Sequence, residues 1–346
     1  MSKTSLLALH RSLALVFAPL LLLQALTGAA LLFRGPLARL VDLAGMTASA
    51  RGPSVTVSTL AASAEARFAS YRVQRMFLPV TREGTVFVEL AGADGSTRFA
   101  SLDPASARVL AAGSVWRFPL EAALRLHYRL MNGRVGLCLI LANGIILALL
   151  AGSGLGFWWP GRTRVLKALA IRKSTPKRLK LRLWHRSGGV TLSVVLLFSA
   201  ATGILLVAPD IPEGVGQANL GPAPLRSPTQ IDDAVALARA QFPGSPLRDI
   251  RFPVADRIDL NFSAPERNPR AVHMVSVAVS RREIIKSLRA AQNGVLWMKV
   301  LPLHTGDSFG IAGRLMLLVE ASMLAFLAIS GPTMWWRGRR ARRGGK

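Results

Sequence analysis

Four stretches of the chain run apolar almost without interruption. They are Leu13–Phe33, with Gln24 as its clearly polar member; Val135–Trp159, with Asn143; Val190–Val207, with no charge; and Leu315–Trp336, with Glu320. A helix rises ~1.5 Å per residue, so about 20 apolar residues cross the hydrocarbon layer, and all four stretches are predicted spans. A secretory signal has an apolar region of about 7–15 residues ending at a small-x-small site. The first run is longer and leads straight into Phe33-Arg34, so it reads as a retained span. Between spans one and two the period changes. "VSTLAASAEARFA" predicts a helix, and "YRVQRMFLP", "GTVFVELAG", "STRFASLDP" and "ARVLAAG" predict short strands broken by Gly and Asp-Pro. Between spans three and four, "SPTQIDDAVALARAQFP" opens like a helix with Ser-Pro and early Asp. "DIRFPVA", "RIDLNFSA", "AVHMVSVAV" and "REIIKSLRA" then predict strands. "GPLARLVDLAGM" and "PDIPEGVGQANLGPAPLRSP" read as connectors.

Each half therefore reads span, helix, four strands, span, and the halves match in detail. "LHRSLALVFAPLLLLQALTG" and "WHRSGGVTLSVVLLFSAATG" both place Thr-Gly seventeen residues after the His. His127 and His304 stand at the outer start of the following span. Asn143 and Glu320 come sixteen residues later, Ser153-Gly154 and Ser330-Gly331 twenty-six, and Trp158-Trp159 and Trp335-Trp336 thirty-one. The pattern is an internal duplication, parallel because each half has an even number of spans.

The formal net charge is +26, with 44 Lys and Arg against 18 Asp and Glu. Its distribution argues against nucleic acid. Residues 161–186 carry ten Lys/Arg and no acid, and the tail "RGRRARRGGK" carries six and no acid. Residues 34–126 and 208–303 are mixed, 11 basic to 7 acidic and 12 to 9. Short Lys/Arg-rich loops stay in the cytoplasm, so both ends and the middle loop are expected inside and the two long segments outside. The single cysteine, Cys138, rules out an intrachain disulfide, and without C-x-x-C-H there is no c-type haem attachment. No P-loop, H-E-x-x-H or Rossmann glycine signature occurs.

The histidines carry the candidate chemistry. His10 and His185 lie at the inner face, His127 and His304 at the outer face, and repeat symmetry pairs them accordingly. Three readings compete: polar helix ends, a Zn or Cu site, and axial haem ligation. Four repeat-matched positions paired by depth favour haem, and no Cys, Asp or Glu stands with them at metal-ligand spacing. Gly28 and Gly203 follow His10 and His185 by eighteen residues, five whole turns, and are expected to give a thin helix surface against a flat macrocycle. Arg11, Arg186, Arg134 and Arg314 lie where haem propionates would need guanidinium partners, or anchor the inside-positive ends. Glu320, a carboxyl near mid-membrane, is functional by default: protonated, paired with Arg314, or relaying a proton. His273, in a predicted strand, reads as structural.

"LHRSLALVF…LTGAALLF", "GLGFWWPGR", "LWHRSGG…ATGILLV" and "LPLHTGDSFGIAGRLMLLVEASMLAFLAISGPTMWWRGRR" resemble the PepSY-associated transmembrane proteins. "TLAASAEARF…REGTVFVELAG…LDPASARVL" is similar to their PepSY module. The resemblance covers nearly the whole chain. It implies a four-helix transmembrane bundle with two PepSY-like α+β domains in the periplasm of a bacterial inner membrane. The expected segments are span 1 at 1–33, domain 1 at 34–121, span 2 at 122–160, a basic cytoplasmic loop at 161–183, span 3 at 184–207, domain 2 at 208–303, span 4 at 304–336 and a basic tail at 337–346. It further implies two non-covalent haem b groups held by His10, His127, His185 and His304. Electrons would come from a cytoplasmic or quinol donor and leave to a periplasmic Fe(III)-siderophore. A non-enzymatic PepSY binding module, and an electron-transfer subunit for another periplasmic reductase, stand as alternatives.

Overall fold

The computed structural model describes residues 2–41, 48, 52–79, 84–171, 174–212 and 227–343. In chain order the elements are α1 (Lys3–Leu32), α2 (Arg34–Val41), α3 (Val57–Arg67), β1 (Tyr71–Phe77), β2 (Val86–Gly92), β3 (Thr97–Leu102), β4 (Val109–Gly113), α4 (Pro119–Arg129), α5 (Gly133–Trp158) and α6 (Val165–Leu169). There follow α7 (Lys177–Thr191), α8 (Ser193–Val207), α9 (Pro228–Gln241), β5 (Leu247–Val254), β6 (Arg257–Ser263), β7 (Val272–Ala278), β8 (Glu283–Leu288), α10 (Leu296–His304) and α11 (Gly310–Arg343). All eight expected strands form. The connector expected at "GPLARLVDLAGM" begins as α2, and most of the second connector lies outside the described residues.

The chain divides into two units, Met1–Leu32, Ala123–Pro212 and Leu303–Lys346 making the first and Phe33–Ala122 and Glu213–Pro302 the second. The first unit holds four helices long and apolar enough to cross a membrane. α1 packs on α5 and α11, α5 on α8, and α7 on α11. Glycines let them approach: a Cβ at Gly144 would stand 3.0 Å from Ile204, and one at Gly188 would stand 2.6 Å from the Met323 sulfur. The third span is two helices, broken at Leu192 (φ −98°, ψ 4°). The break follows Gly188-Gly189, and the Ser193 hydroxyl there donates to the Val190 carbonyl at 2.8 Å.

The outer histidines do not begin spans two and four. His127 lies near the C-terminus of α4, and His304 ends α10. Each short helix is joined to its span by a left-handed turn, with φ of +49°, +58° and +43° at Leu130, Met131 and Gly133, and +73° and +59° at Gly306 and Gly310. Only a missing side chain lets the turn fold back on the span. A Cβ at Gly136 would fall 1.7 Å from the Arg129 carbonyl oxygen, and one at Gly313 would fall 2.4 Å from that of Gly306. Both glycines stand nine residues after their His.

In the second unit, the expectation of two separate α+β domains is corrected. Both segments feed one eight-stranded antiparallel sheet, ordered β4-β3-β2-β1-β5-β6-β7-β8. The first strands of the two segments form the seam, with Met76 opposite Ile250. A four-stranded sheet with one helix has an exposed strand edge and a small core, and pairing edge to edge removes both defects. Helices α3 and α9 cover one face over a shared core that includes Leu60, Met76, Val88, Ile250, Leu260 and Phe262. The segments also share a cap. The Asp232 carboxylate accepts from the Ser58 amide at 3.1 Å and its hydroxyl at 2.5 Å, so a residue of α9 satisfies the start of α3.

On the opposite face, Asp249 accepts from Arg75 at 3.0 Å across the seam, from Arg251 at 3.3 Å and from Asn261 at 3.2 Å. Burial pushes its carboxyl up, but the two guanidiniums and the amide override this and hold it below its ordinary value of 3.8. A depressed carboxyl stabilises the fold fully above its unfolded pKa, and that contribution is lost as pH falls through the folded value. Asp249→Ala is therefore expected to cost about 3–5 kcal/mol at neutral pH, by leaving Arg75 and Arg251 uncompensated. The difference from wild type should narrow below pH 4 in full-length protein melted in detergent. In the bundle, Gly136→Ala is expected to lower the melting temperature, at about 1–3 kcal/mol or more for overpacking. Gly152→Ala, with nothing within 4 Å, is the matched control and should be neutral or stabilising.

Candidate functional site

Each histidine of the bundle meets a hydroxyl on a helix distant in sequence. His10 on α1 lies 3.1 Å from Ser153 on α5, and His127 on α4 lies 3.0 Å from Thr27 on α1. His185 on α7 lies 2.7 Å from Ser330 on α11, and His304 on α10 lies 2.9 Å from Thr202 on α8. In all four the ring atom is Nδ1. The hydroxyl protons are already committed. Thr27 donates to the Leu23 carbonyl at 2.7 Å and Thr202 to that of Phe198 at 2.9 Å. Ser153 and Ser330 donate more weakly to Leu150 and Leu327, at 3.3 and 3.4 Å. A hydroxyl whose proton points at a carbonyl can only accept from the imidazole. Where the carbonyl bond is short, at Thr27 and Thr202, Nδ1 of His127 and His304 therefore carries the hydrogen, and Nε2 keeps its lone pair.

The residue after each hydroxyl is glycine, and its absent side chain admits the ring. A Cβ at Gly28 would lie 3.1 Å from His127 Cε1, at Gly154 3.3 Å from His10 Cε1, at Gly203 3.4 Å from His304 Cε1 and at Gly331 3.5 Å from His185 Cε1. The Ser/Thr-Gly dipeptide is thus a cradle: the hydroxyl holds Nδ1 and the glycine accommodates the neighbouring carbon. Gly28 and Gly203, expected to thin the helix surface, do so in this structure. The surface they thin lies against an imidazole of another helix. α1 gives His10 and receives His127, while α4 and α5 together give His127 and receive His10. α7 and α8 stand in the same relation to α10 and α11.

Between halves, the rings of His127 and His304 come to 6.3 Å between centroids with a 47° tilt. His10 lies within electrostatic reach of His185, and its ring meets Phe157 edge-on at 5.5 Å. An apolar cavity of about 420 Å³ opens between α7 and α11, lined by Leu181, Trp184, Met323 and Phe326, with the residue before His185 in its wall. Among the described residues no three His, Cys, Asp or Glu side chains gather as a metal-ion site. The histidines thus offer lone pairs two at a time and make no tetrahedral cage.

The arginines divide. Arg11 and Arg134 are exposed. Arg186 donates to the Ala168 carbonyl at 2.6 Å, beside the Ser187 hydroxyl bond to Leu169 at 3.0 Å. The terminal carbonyls of α6 lack helical partners, which is why they draw these donors. Arg314 grips one oxygen of buried Asp307 at 2.7 and 3.0 Å. Arg186 and Arg314 thus each give donors to protein acceptors, while the Arg186 Nε is buried without a partner among the described residues. Glu320 does not pair with Arg314. It is 5% exposed, and it accepts from the Ser199 hydroxyl at 2.8 Å. His273 stacks on Phe242 at 4.3 Å and accepts the Ala290 amide at Nδ1, a structural role.

The hydroxyl partners and the hinge glycines had no role in the sequence-based reading. Their signals were present as repeats. Ser/Thr-Gly recurs at fixed distance from each histidine, and H-x5-G-x2-G occurs at both His127 and His304.

A search of the curated proteins returns no match to the chain. Residues 7–338 match a family described as the PepSY-associated TM region. That match takes in both halves, all four bundle histidines and all four cradles. The chain belongs to the PepSY-associated transmembrane family.

Proposed function

We propose that this protein is a haem-dependent electron carrier of a bacterial inner membrane, built by internal duplication, with its sheet unit in the periplasm and both chain ends in the cytoplasm. One observation carries the reading: four imidazoles are each held at Nδ1 by a hydroxyl of a distant helix, in two levels, each with one histidine from each half. Hydrogen-bonding Nδ1 to a fixed acceptor is how proteins orient a ligating imidazole. The outer pair fits a single iron. Imidazoles sharing one metal ion would stand with their ring centres roughly 6 Å apart, for a metal–nitrogen bond of about 2 Å with the ring centre about 1 Å behind the nitrogen. The observed 6.3 Å agrees with this.

A bound haem b at each level supplies one-electron iron chemistry. The residues do the rest. His10 and His185 hold the inner group, His127 and His304 the outer one, and the Ser/Thr-Gly cradles fix their rings. The levels are about 25 Å apart along α1, from His10 to Thr27. Electrons enter from a cytoplasmic or quinol donor and leave to an oxidised periplasmic acceptor, for which we propose Fe(III) chelated by a siderophore. Reduction to Fe(II) weakens the grip of hard oxygen ligands and frees the metal. The exposed Arg11 and Arg134 remain to pair with propionates.

The full chain purified in detergent from haem-replete cells is expected to contain close to two haem b, by reduced-minus-oxidised spectra and pyridine haemochrome. The double variant His127→Ala/His304→Ala should keep one. Absence of a Soret band would leave the PepSY-type binding module as the better reading. Thr27→Ala and Thr202→Ala should weaken outer haem retention by about 10–100-fold, as loss of an outer-shell partner does. Thr→Ser at either position should restore it, as measured by haem loss to apomyoglobin.

A further inference from the structure

The repeat has one chemical asymmetry in its interior. Three residues before each outer cradle stands a polar side chain, Gln24 before Thr27 and Ser199 before Thr202. Sixteen residues after each outer histidine stands another, Asn143 after His127 and Glu320 after His304. In the second half the two meet, Ser199 donating to Glu320 at 2.8 Å. In the first half both are amides, and the Gln24 amide nitrogen and the Asn143 amide oxygen are buried without hydrogen-bond partners. One half is uncharged at this depth, and the other carries a carboxyl.

The surroundings of Glu320 contain no counter-charge. It packs from α11 among α1, α7 and α8. Those elements offer Lys3, His10 and Arg11 at one end of α1, the basic residues and His185 of α7, and nothing ionisable on α8. On its own helix, Arg314 is six residues away and held by Asp307, and the next charge is Arg337. Between the two histidine levels, Glu320 is the one carboxyl among the described residues. A single hydroxyl does not compensate a buried carboxylate, so a full negative charge there needs a positive neighbour. Ser199 connects it to the outer site. Its hydroxyl bonds Glu320, and its carbonyl accepts from Thr202, the hydroxyl that holds His304. Three residues separate Ser199 from Thr202, so the carboxyl lies about one turn inward of the outer pair.

An iron held by two neutral imidazoles in a porphyrin dianion has a net positive core when ferric and a neutral core when ferrous. At this separation in a low-dielectric interior that one-charge change is felt strongly. We infer that Glu320 is the redox-linked proton site of the bundle, ionised while the outer iron is ferric and protonated when it is ferrous. For each electron that a haem held there would take from the donor, one proton from water binds a Glu320 carboxylate oxygen. When the electron leaves to the acceptor, the O–H bond breaks and the proton departs. This rests on the haem reading of the preceding section.

The test uses the full chain, its haem content fixed first by spectrum, with dithionite as reductant. Redox titrations over a range of pH should show one midpoint falling by up to about 59 mV per pH unit, the value of a tenfold change for one electron. The other midpoint should stay flat. Glu320→Gln should abolish that slope with haem content unchanged, and Glu320→Asp should keep it. Redox-difference infrared spectra of wild type should show a carboxylic-acid carbonyl band on reduction that shifts with ¹³C-glutamate labelling. That readout needs no variant and survives a misfolded Glu320→Gln. Two haems with an unchanged slope in Glu320→Gln, or no labelled band in wild type, would overturn the inference and leave the haem reading standing. A chain without haem would overturn both.

Discussion

The bundle depends on one interaction made four times: an imidazole Nδ1 hydrogen-bonded to a hydroxyl of a helix distant in sequence. In an apolar interior an unpartnered ring nitrogen is costly, so each histidine draws a particular helix to a particular depth and rotation. Because α1 both gives a histidine and receives one, its register against α4 and α5 is fixed at two levels. The same holds for α7 and α8 against α10 and α11. Hydrophobic packing alone would not do this, since lipid is as good a neighbour as a Leu face. The glycine beside each hydroxyl is the steric half of the same device.

The outer histidines need a second device. An imidazole rooted in a straight span would follow that helix's rotation. Placing it at the end of a separate short helix and returning through a left-handed turn uncouples its direction from the span's. Leu130 and Met131 accept positive φ to do so, conformations that bulky side chains seldom adopt and that persist where the surroundings over-determine them. Gly136 and Gly313 are the surroundings in question, because each lets a carbonyl of the turn sit directly on the span.

The sheet unit solves a different problem by pairing its two segments. Each segment alone would present a first strand with free N–H and C=O groups and a single helix over a thin core. Joined through β1 and β5, the two share a core, a helix cap that α9 gives to α3, and a buried carboxylate gripped across the seam. The apolar face supplies most of the driving force, and Asp249 accepts from Arg75 across the two strands that pair.

Much of this was legible in the sequence because it is periodic and local. Span length, strand alternation, the matched intervals from His10, His127, His185 and His304, and the inward depth of Glu320 all follow from rise per residue and side-chain period. The tertiary structure alone decided what depends on contacts between distant segments. It set which hydroxyl meets which imidazole, and it turned Gly28 and Gly203 toward histidines of other helices. It joined two sets of four strands into one sheet, since an edge strand and a central strand have the same alternation until a partner is present. It gave Arg186 to an α6 carbonyl, Arg314 to Asp307 and Glu320 to the Ser199 hydroxyl. Charge and spacing mark such groups as candidates, but their partners are settled by whichever acceptor the folded chain brings within 3 Å, and no local pattern encodes that distance.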